Sequence, residues 1–132
     1  MKISATIKSA NNQHDVTVQT NDAAKQLNIP VKATGYGSSA NGGELLTLAL
    51  ATCFCNDIYR EAAKLNIPVT NVEVTCSAIF GAEGEAGTNF TYHVNVTSPV
   101  PQADLDALIE HTDKVAEIHN TLRQGAGVTL VK

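Results

Sequence analysis

GYGSSANGGELLTLALATCFCNDIYREAA, residues 35–63, is the stretch that decides the fold. A loop rich in glycine and serine runs into a helix whose residues Leu45–Phe54 carry no charge. A helix at a protein surface keeps one polar face. Here Leu45, Leu46, Leu48, Ala49, Leu50, Ala51 and Phe54 point in every direction around the axis, so the helix is expected to be enclosed on all sides. Cys53 then lies near the middle of a buried central helix, with Cys55 just beyond it. A thiol in that place is either inert packing or a protected reaction centre.

Around this helix the chain reads as one domain, residues 1–132, large enough to bury a core. Hydrophobic residues make up 43% and charged residues 17%, which excludes a disordered chain. The net charge is −4 and lysine and arginine are scattered, so nucleic acid and anionic membranes are poor partners. The N-terminus MKISATIKSANN lacks an apolar signal core, and no apolar run reaches the length of a membrane span. Three cysteines without an export signal point to a reducing cytoplasm. The glycosylation sequons at Asn89 and Asn95 are then chance matches.

Lys2–Lys8 and His14–Thr20 alternate apolar and polar residues about the turn Ser9–Gln13, which predicts a β-hairpin. Ala24–Lys32 offers a third strand with Pro30 at an edge or bulge. The central helix runs from Glu44 to about Leu65, its second half amphipathic with Ile58, Ala62 and Leu65 on one stripe. Val69–Phe80 and Thr88–Thr97 form a second hairpin around the loop Gly81–Gly87. Pro101 suits the first turn of a C-terminal helix, which is expected to break near His111–Asp113. Val128–Val131 reads as a closing strand. The order βββ-α-ββ-α-α-β, with strands grouped in hairpins, predicts an α+β fold with antiparallel sheets. Six strands cover one side of an all-round apolar helix, and the other side implies a second copy of the chain, a homodimer.

Gly35-Tyr36-Gly37-Ser38-Ser39-Ala40 fits a dinucleotide fingerprint in spelling, but Asn41-Gly42-Gly43 separate it from the helix and no parallel βαβ unit follows. Gly81–Gly87 lacks the lysine of a phosphate loop and carries Glu83 and Glu85. His14, His93, His111 and His119 show no metal-ligand spacing, so neither metal nor cofactor is expected. Cys53 and Cys55 diverge by about 200° on a helix and cannot pair while it holds. Cys76 reads as a core filler in a strand. Asp57, one turn after Cys53, disfavours the thiolate.

The composite pattern is more specific than its parts. A Gly/Ser loop, Asn-Gly-Gly-Glu-Leu-Leu at 41–46 and Ala-Leu-Ala-Thr-Cys-Phe at 49–54 resemble the OsmC family, which includes the organic hydroperoxide resistance proteins. The resemblance implies an intertwined dimer with two central helices back to back between sheets. It also implies a pair of cysteines that reduces peroxides through sulfenic acid and disulfide steps. In this sequence Cys53 matches the first family cysteine and Glu44 the helix-start glutamate, while Gly43 stands at the hydroperoxide branch's own acid. Ala116 stands where the second cysteine is expected, and the N-terminal strands contain no arginine.

The resemblance thus implies a peroxidase-type enzyme of oxidative-stress defence acting on organic hydroperoxides, with Cys53 as nucleophile. Glu44 and His119 tune its surroundings, with His119 alternatively a pocket-lining side chain. Because the second cysteine and the arginine are absent, the competing expectation is a binding protein of the same fold. Its interface pocket would hold a small apolar or thiol-bearing ligand.

Overall fold

The computed structural model describes residues 1–132, which divide into two compact units, Met1–Glu44 and Leu45–Lys132. In the first, β1 (Ile3–Ala10), β2 (Gln13–Thr20) and β3 (Ala23–Leu27) form an antiparallel meander in that order. Asn12 and Asn21 make the turns in the left-handed region, at φ of 61° and 49°, where asparagine is tolerated. The register pairs Ala5 with Val18 and Ile7 with Val16, gathering the apolar residues of the first hairpin on one face.

β3 is shorter than the expected span to Lys32. It ends before Pro30, which cannot donate to a ladder, and the Pro30 carbonyl instead accepts the Ser39 N–H at 2.9 Å. Between them the chain turns tightly through Gly37 at φ +99°, a conformation closed to most side chains. α1 (Gly42–Lys64) then begins at a reciprocal cap: Asn41 Oδ1 accepts the Glu44 N–H and Glu44 Oε2 accepts the Asn41 N–H, both at 2.8 Å.

The second unit holds the rest of α1, a two-stranded antiparallel sheet of β4 (Asn71–Ile79) and β5 (Thr88–Thr97), α2 (Gln102–Val115) and α3 (Glu117–Arg123). α1 stops at a Schellman motif: Asn66 takes φ +54°, and Ile67 N–H reaches back to the Ala62 carbonyl at 2.9 Å. Val72, Val74, Tyr92, Val94 and Val96 lie on one face of the sheet and pack on a core of Phe54, Ile58, Ala62, Leu108 and Ala116. No helix is long and apolar enough to cross a membrane.

Three expectations are corrected here. The buried residues of α1 are Leu50, Phe54, Asp57, Ile58, Glu61 and Ala62, while Leu48 and Tyr59 are exposed in the single chain. The stripe recruits two acids and leaves Leu65 outside, 57% exposed, because the helix turns into its cap there. The C-terminal helix passes unbroken through His111–Asp113, where Thr112 Oγ1 donates to the Leu108 carbonyl at 2.7 Å. It breaks instead at Ala116, whose ψ of 108° is extended and which caps α3. Val128–Val131 forms no strand, since a strand needs a hydrogen-bonded neighbour and no strand of this chain pairs with it.

Candidate active site at Cys53

Cys53 and Asp57 are four residues apart on α1 and so share a face. The thiol donates to Asp57 Oδ2 at 3.4 Å. The break at Ala116 starts a new helix, and the first N–H groups of a helix have no partner within it. One of these, on Ile118, is directed at the Cys53 sulfur. Glu117 completes the group: Sγ and a carboxylate oxygen from each of Asp57 and Glu117 lie within 4.8 Å of one another. The place a divalent cation would take between the two carboxylates is held by Arg60, whose Nη1 is 2.8 Å from Asp57 and 3.3 Å from Glu117.

Burial pushes the Cys53 thiol up, and the Asp57 and Glu117 charges add to this, while the Ile118 N–H works against them. Asp57 is itself raised, chiefly by burial and then by Glu117, with Cys53 and Arg60 pulling it back. Glu117, by contrast, is lowered, first by its own main-chain N–H and also by Arg60, so Asp57 and the thiol are the two groups that compete for a proton beside the guanidinium. Such an arrangement can hand a proton between neighbours.

Next to it, Glu61 is 3% exposed and is bonded by Arg60 Nε at 2.8 Å, Lys64 at 2.9 Å and His111 at 3.0 Å. These three donors hold its carboxyl down to about 2. A carboxyl lowered in the folded state contributes stability above its unfolded value of about 4.3. That contribution fades as the pH falls from there toward 2. Glu61→Gln is expected to lower stability at neutral pH and to flatten the acid limb of a urea-denaturation series. Asp57, raised on folding, acts in the opposite sense and in a higher window, its contribution fading as the pH rises from its unfolded value of about 3.9 through its raised folded one.

His119, on α3, packs against Phe54 and Tyr92. Its ring meets Phe54 at 5.4 Å and Tyr92 at 4.7 Å between centroids, both edge to face, and it is 4% exposed. Neither ring nitrogen has a protein hydrogen-bond partner. Burial first, then Arg123, lowers its pKa and keeps it neutral. It lines a cavity of about 110 Å³ with Leu50, Phe90, Thr91, Tyr92, Leu122 and Arg123. At the rim, Tyr92 donates to Asp113, which Arg123 holds at 2.5 Å.

Glu44 sits in the first turn of α1 with its carboxylate in the cap, nine residues before Cys53, about 13 Å along the axis at helical rise. The structure thus gathers Asp57, Arg60, Glu117 and the Ile118 amide at Cys53. Sequence reading named Asp57 there but passed over Arg60 and Glu117. The spacing of Asp57 and Arg60 was a usable signal, since i,i+3 pairs meet on a helix. Glu117, next to the position matched to a second cysteine, was the other.

Residues 35–131 match the family model for OsmC-like protein. The chain belongs to the OsmC-like family. Its fold is similar to an OsmC-like protein from Mycoplasma pneumoniae, 23% identical over 98% of each chain, with a TM-score of 0.61. It is also similar to an organic hydroperoxide resistance protein from Elizabethkingia anophelis, crystallised with thiocyanate bound: 20% identity, 95% of this chain and 90% of that one, TM-score 0.64. A third is organic hydroperoxide resistance protein OsmC from Legionella pneumophila, 21% identical over 93% and 90% of the chains, TM-score 0.60. No curated protein matches. As in the OsmC-like expectation, the architecture is α+β with antiparallel sheets.

Proposed function

We propose that this OsmC-like protein reduces organic hydroperoxides with Cys53 as the attacking thiol, as a cytoplasmic homodimer. The observation that carries the reading is the position of the sulfur, half-buried beneath the first turn of α3 with a main-chain N–H directed at it. That backbone donor favours the thiolate, the reactive form, and so opposes the burial that otherwise raises the thiol. Ala116, where the resemblance places a second cysteine, is fully buried and carries no thiol. The oxidised product is therefore a sulfenic acid that a thiol from solution must resolve. The exposed Leu48 and Tyr59 on α1 are apolar surface that a second copy would cover.

Treatment with one equivalent of tert-butyl hydroperoxide in the presence of a sulfenic-acid trap is expected to label Cys53, with no disulfide formed within the chain. Turnover with an added dithiol should vanish in Cys53→Ser. A wild-type rate no better than that of Cys53→Ser defeats the reading.

The second reading, a binding protein for a small ligand, is favoured by the cavity at His119. A buried imidazole with two unmet nitrogens is costly unless something satisfies it. An apolar cavity of about 150 Å³ takes a benzene-sized guest, so this one suits a ligand of four or five heavy atoms. Perturbation of the His119 ring signals in nuclear magnetic resonance by a small alcohol, unaltered in Cys53→Ala, would favour it over the first.

A further inference from the structure

We propose that Asp57 is the proton acceptor for the Cys53 thiol, with Arg60 and Glu117 holding it for that task. The proposal rests on the reading that Cys53 attacks a hydroperoxide, and it supplies what that reading lacks. The resemblance leads one to expect an arginine from the N-terminal strands, and those strands contain none. The charges found at the sulfur come instead from α1 and α3.

Three observations carry it. First, the thiol already donates to Asp57 Oδ2 at 3.4 Å, so the proton faces its acceptor before any reaction. Second, Asp57 is 4% exposed, so its carboxylate is largely withdrawn from bulk water and turned to its protein neighbours. Third, a buried carboxylate needs a cation, and Arg60 Nη1 sits 2.8 Å from Asp57 Oδ1, the oxygen that the thiol does not use. Arg60 is fixed in turn by Glu61 at 2.8 Å and Glu117 at 3.3 Å. The groups facing the sulfur are thus Asp57 from α1, and Glu117 and the Ile118 amide from α3. Asp57 touches the reacting atom; Arg60 and Glu117 are positioning residues.

The step balances as follows. A sulfur electron pair forms an S–O bond to the terminal oxygen of the hydroperoxide while the O–O bond breaks. The thiol proton moves to Asp57 and from there to the departing alkoxide, which leaves as the alcohol. Cys53 ends as a sulfenic acid, oxidised by two electrons that the hydroperoxide accepts, and Asp57 ends as it began. Burial raises both the thiol and Asp57, and the raised carboxyl is a better match for a thiol proton than an ordinary carboxylate.

The test compares two reagents on the same sulfur, each followed at Cys53 by tandem mass mapping. Iodoacetamide reports the thiolate population alone. Asp57→Asn removes a charge that opposes the thiolate, so alkylation at pH 7 is expected to rise or hold. The rate with tert-butyl hydroperoxide is expected to fall about a hundredfold, the lower end of general-base effects. A merely structural or electrostatic Asp57 moves both rates in one direction, and that result overturns the proposal.

Glu117→Gln guards against misfolding of the buried variant, since Glu117 is exposed. Losing its charge lets Asp57 ionise more readily, so the acid limb of the hydroperoxide profile should shift to lower pH. A limb that stays in place assigns the base elsewhere. If wild type shows no hydroperoxide rate above Cys53→Ser, the hydroperoxide reading fails by itself. The same Asp57→Asn comparison made with diethyl disulfide as electrophile then decides the role of Asp57, with a matching split supporting it and parallel rates overturning it.

Discussion

Phe54→Ala is expected to lower folding stability by about 3–5 kcal/mol, the usual range for a fully buried phenylalanine. Phe54 has no exposed surface and stands where three elements meet. It comes from α1, its ring tilts against Tyr92 of β5 at 4.8 Å, and its edge meets His119 of α3. Removing the ring deletes its burial and both aromatic contacts, and leaves a void next to an imidazole with no polar partner. Single domains are stable by only about 5–15 kcal/mol, so this one change consumes a large share. For a chain of this size the midpoint should drop by roughly 10–20 °C in calorimetry. A fall of less than about 1 kcal/mol would mean that the three elements are held together by something other than this ring.

Ala116→Cys is expected to change the end product of peroxide oxidation from a sulfenic acid to an internal disulfide with Cys53. The Cys53 sulfur is met by the N–H of Ile118, two residues past Ala116, so a thiol at 116 would project from the same turn of chain. Adding a sulfur to this filled site costs about 1–3 kcal/mol through overpacking, which the fold should survive. Intact mass under non-reducing conditions would then show the loss of two hydrogens in place of the gain of one oxygen. Holding the second thiol in the site replaces a bimolecular step, and turnover with a dithiol should rise by at least roughly tenfold. If the variant still stops at the sulfenic acid, Ala116 does not correspond to the missing family cysteine.

Much of the fold was legible because it rests on local periodicity. The β5 span Thr88–Thr97 was readable to the residue, since it alternates between two clear turn signals. α1 was readable from its uncharged run and from the Asn-Ile-Pro sequence that ends it. What escaped was set by partners distant in sequence. The helix break could not be placed at Ala116, because alanine is the best helix former and gives no local warning. The burial of Glu61 was illegible for a similar reason. An acid off the apolar stripe reads as solvated until Arg60, Lys64 and His111 are seen to gather at it. Val128–Val131 alternates as a strand should, but pattern alone cannot provide a neighbour to bond to.

At the candidate site the thiol itself was legible, and its surroundings were half so. Cys53 and Asp57 declare themselves by helical spacing. Glu117 comes from a helix more than fifty residues away, joined to Arg60 by a 3.3 Å contact that no reading of spacing reveals. His119 was singled out on its sequence position, and the structure sets it among aromatic rings with Arg123 and Asp113 as its charged neighbours.

The kink at Ala116 has an evolutionary consequence. Had α2 and α3 been one rod, the amide of Ile118 would have been spent on a carbonyl four residues earlier. Since that amide belongs to the polypeptide itself, no exchange of the side chain at 118 except to proline can delete it. Apart from that one exchange, only a substitution that straightens the rod can take it away, so mutational drift could erase the acids around Cys53 one by one and still leave its sulfur a donor.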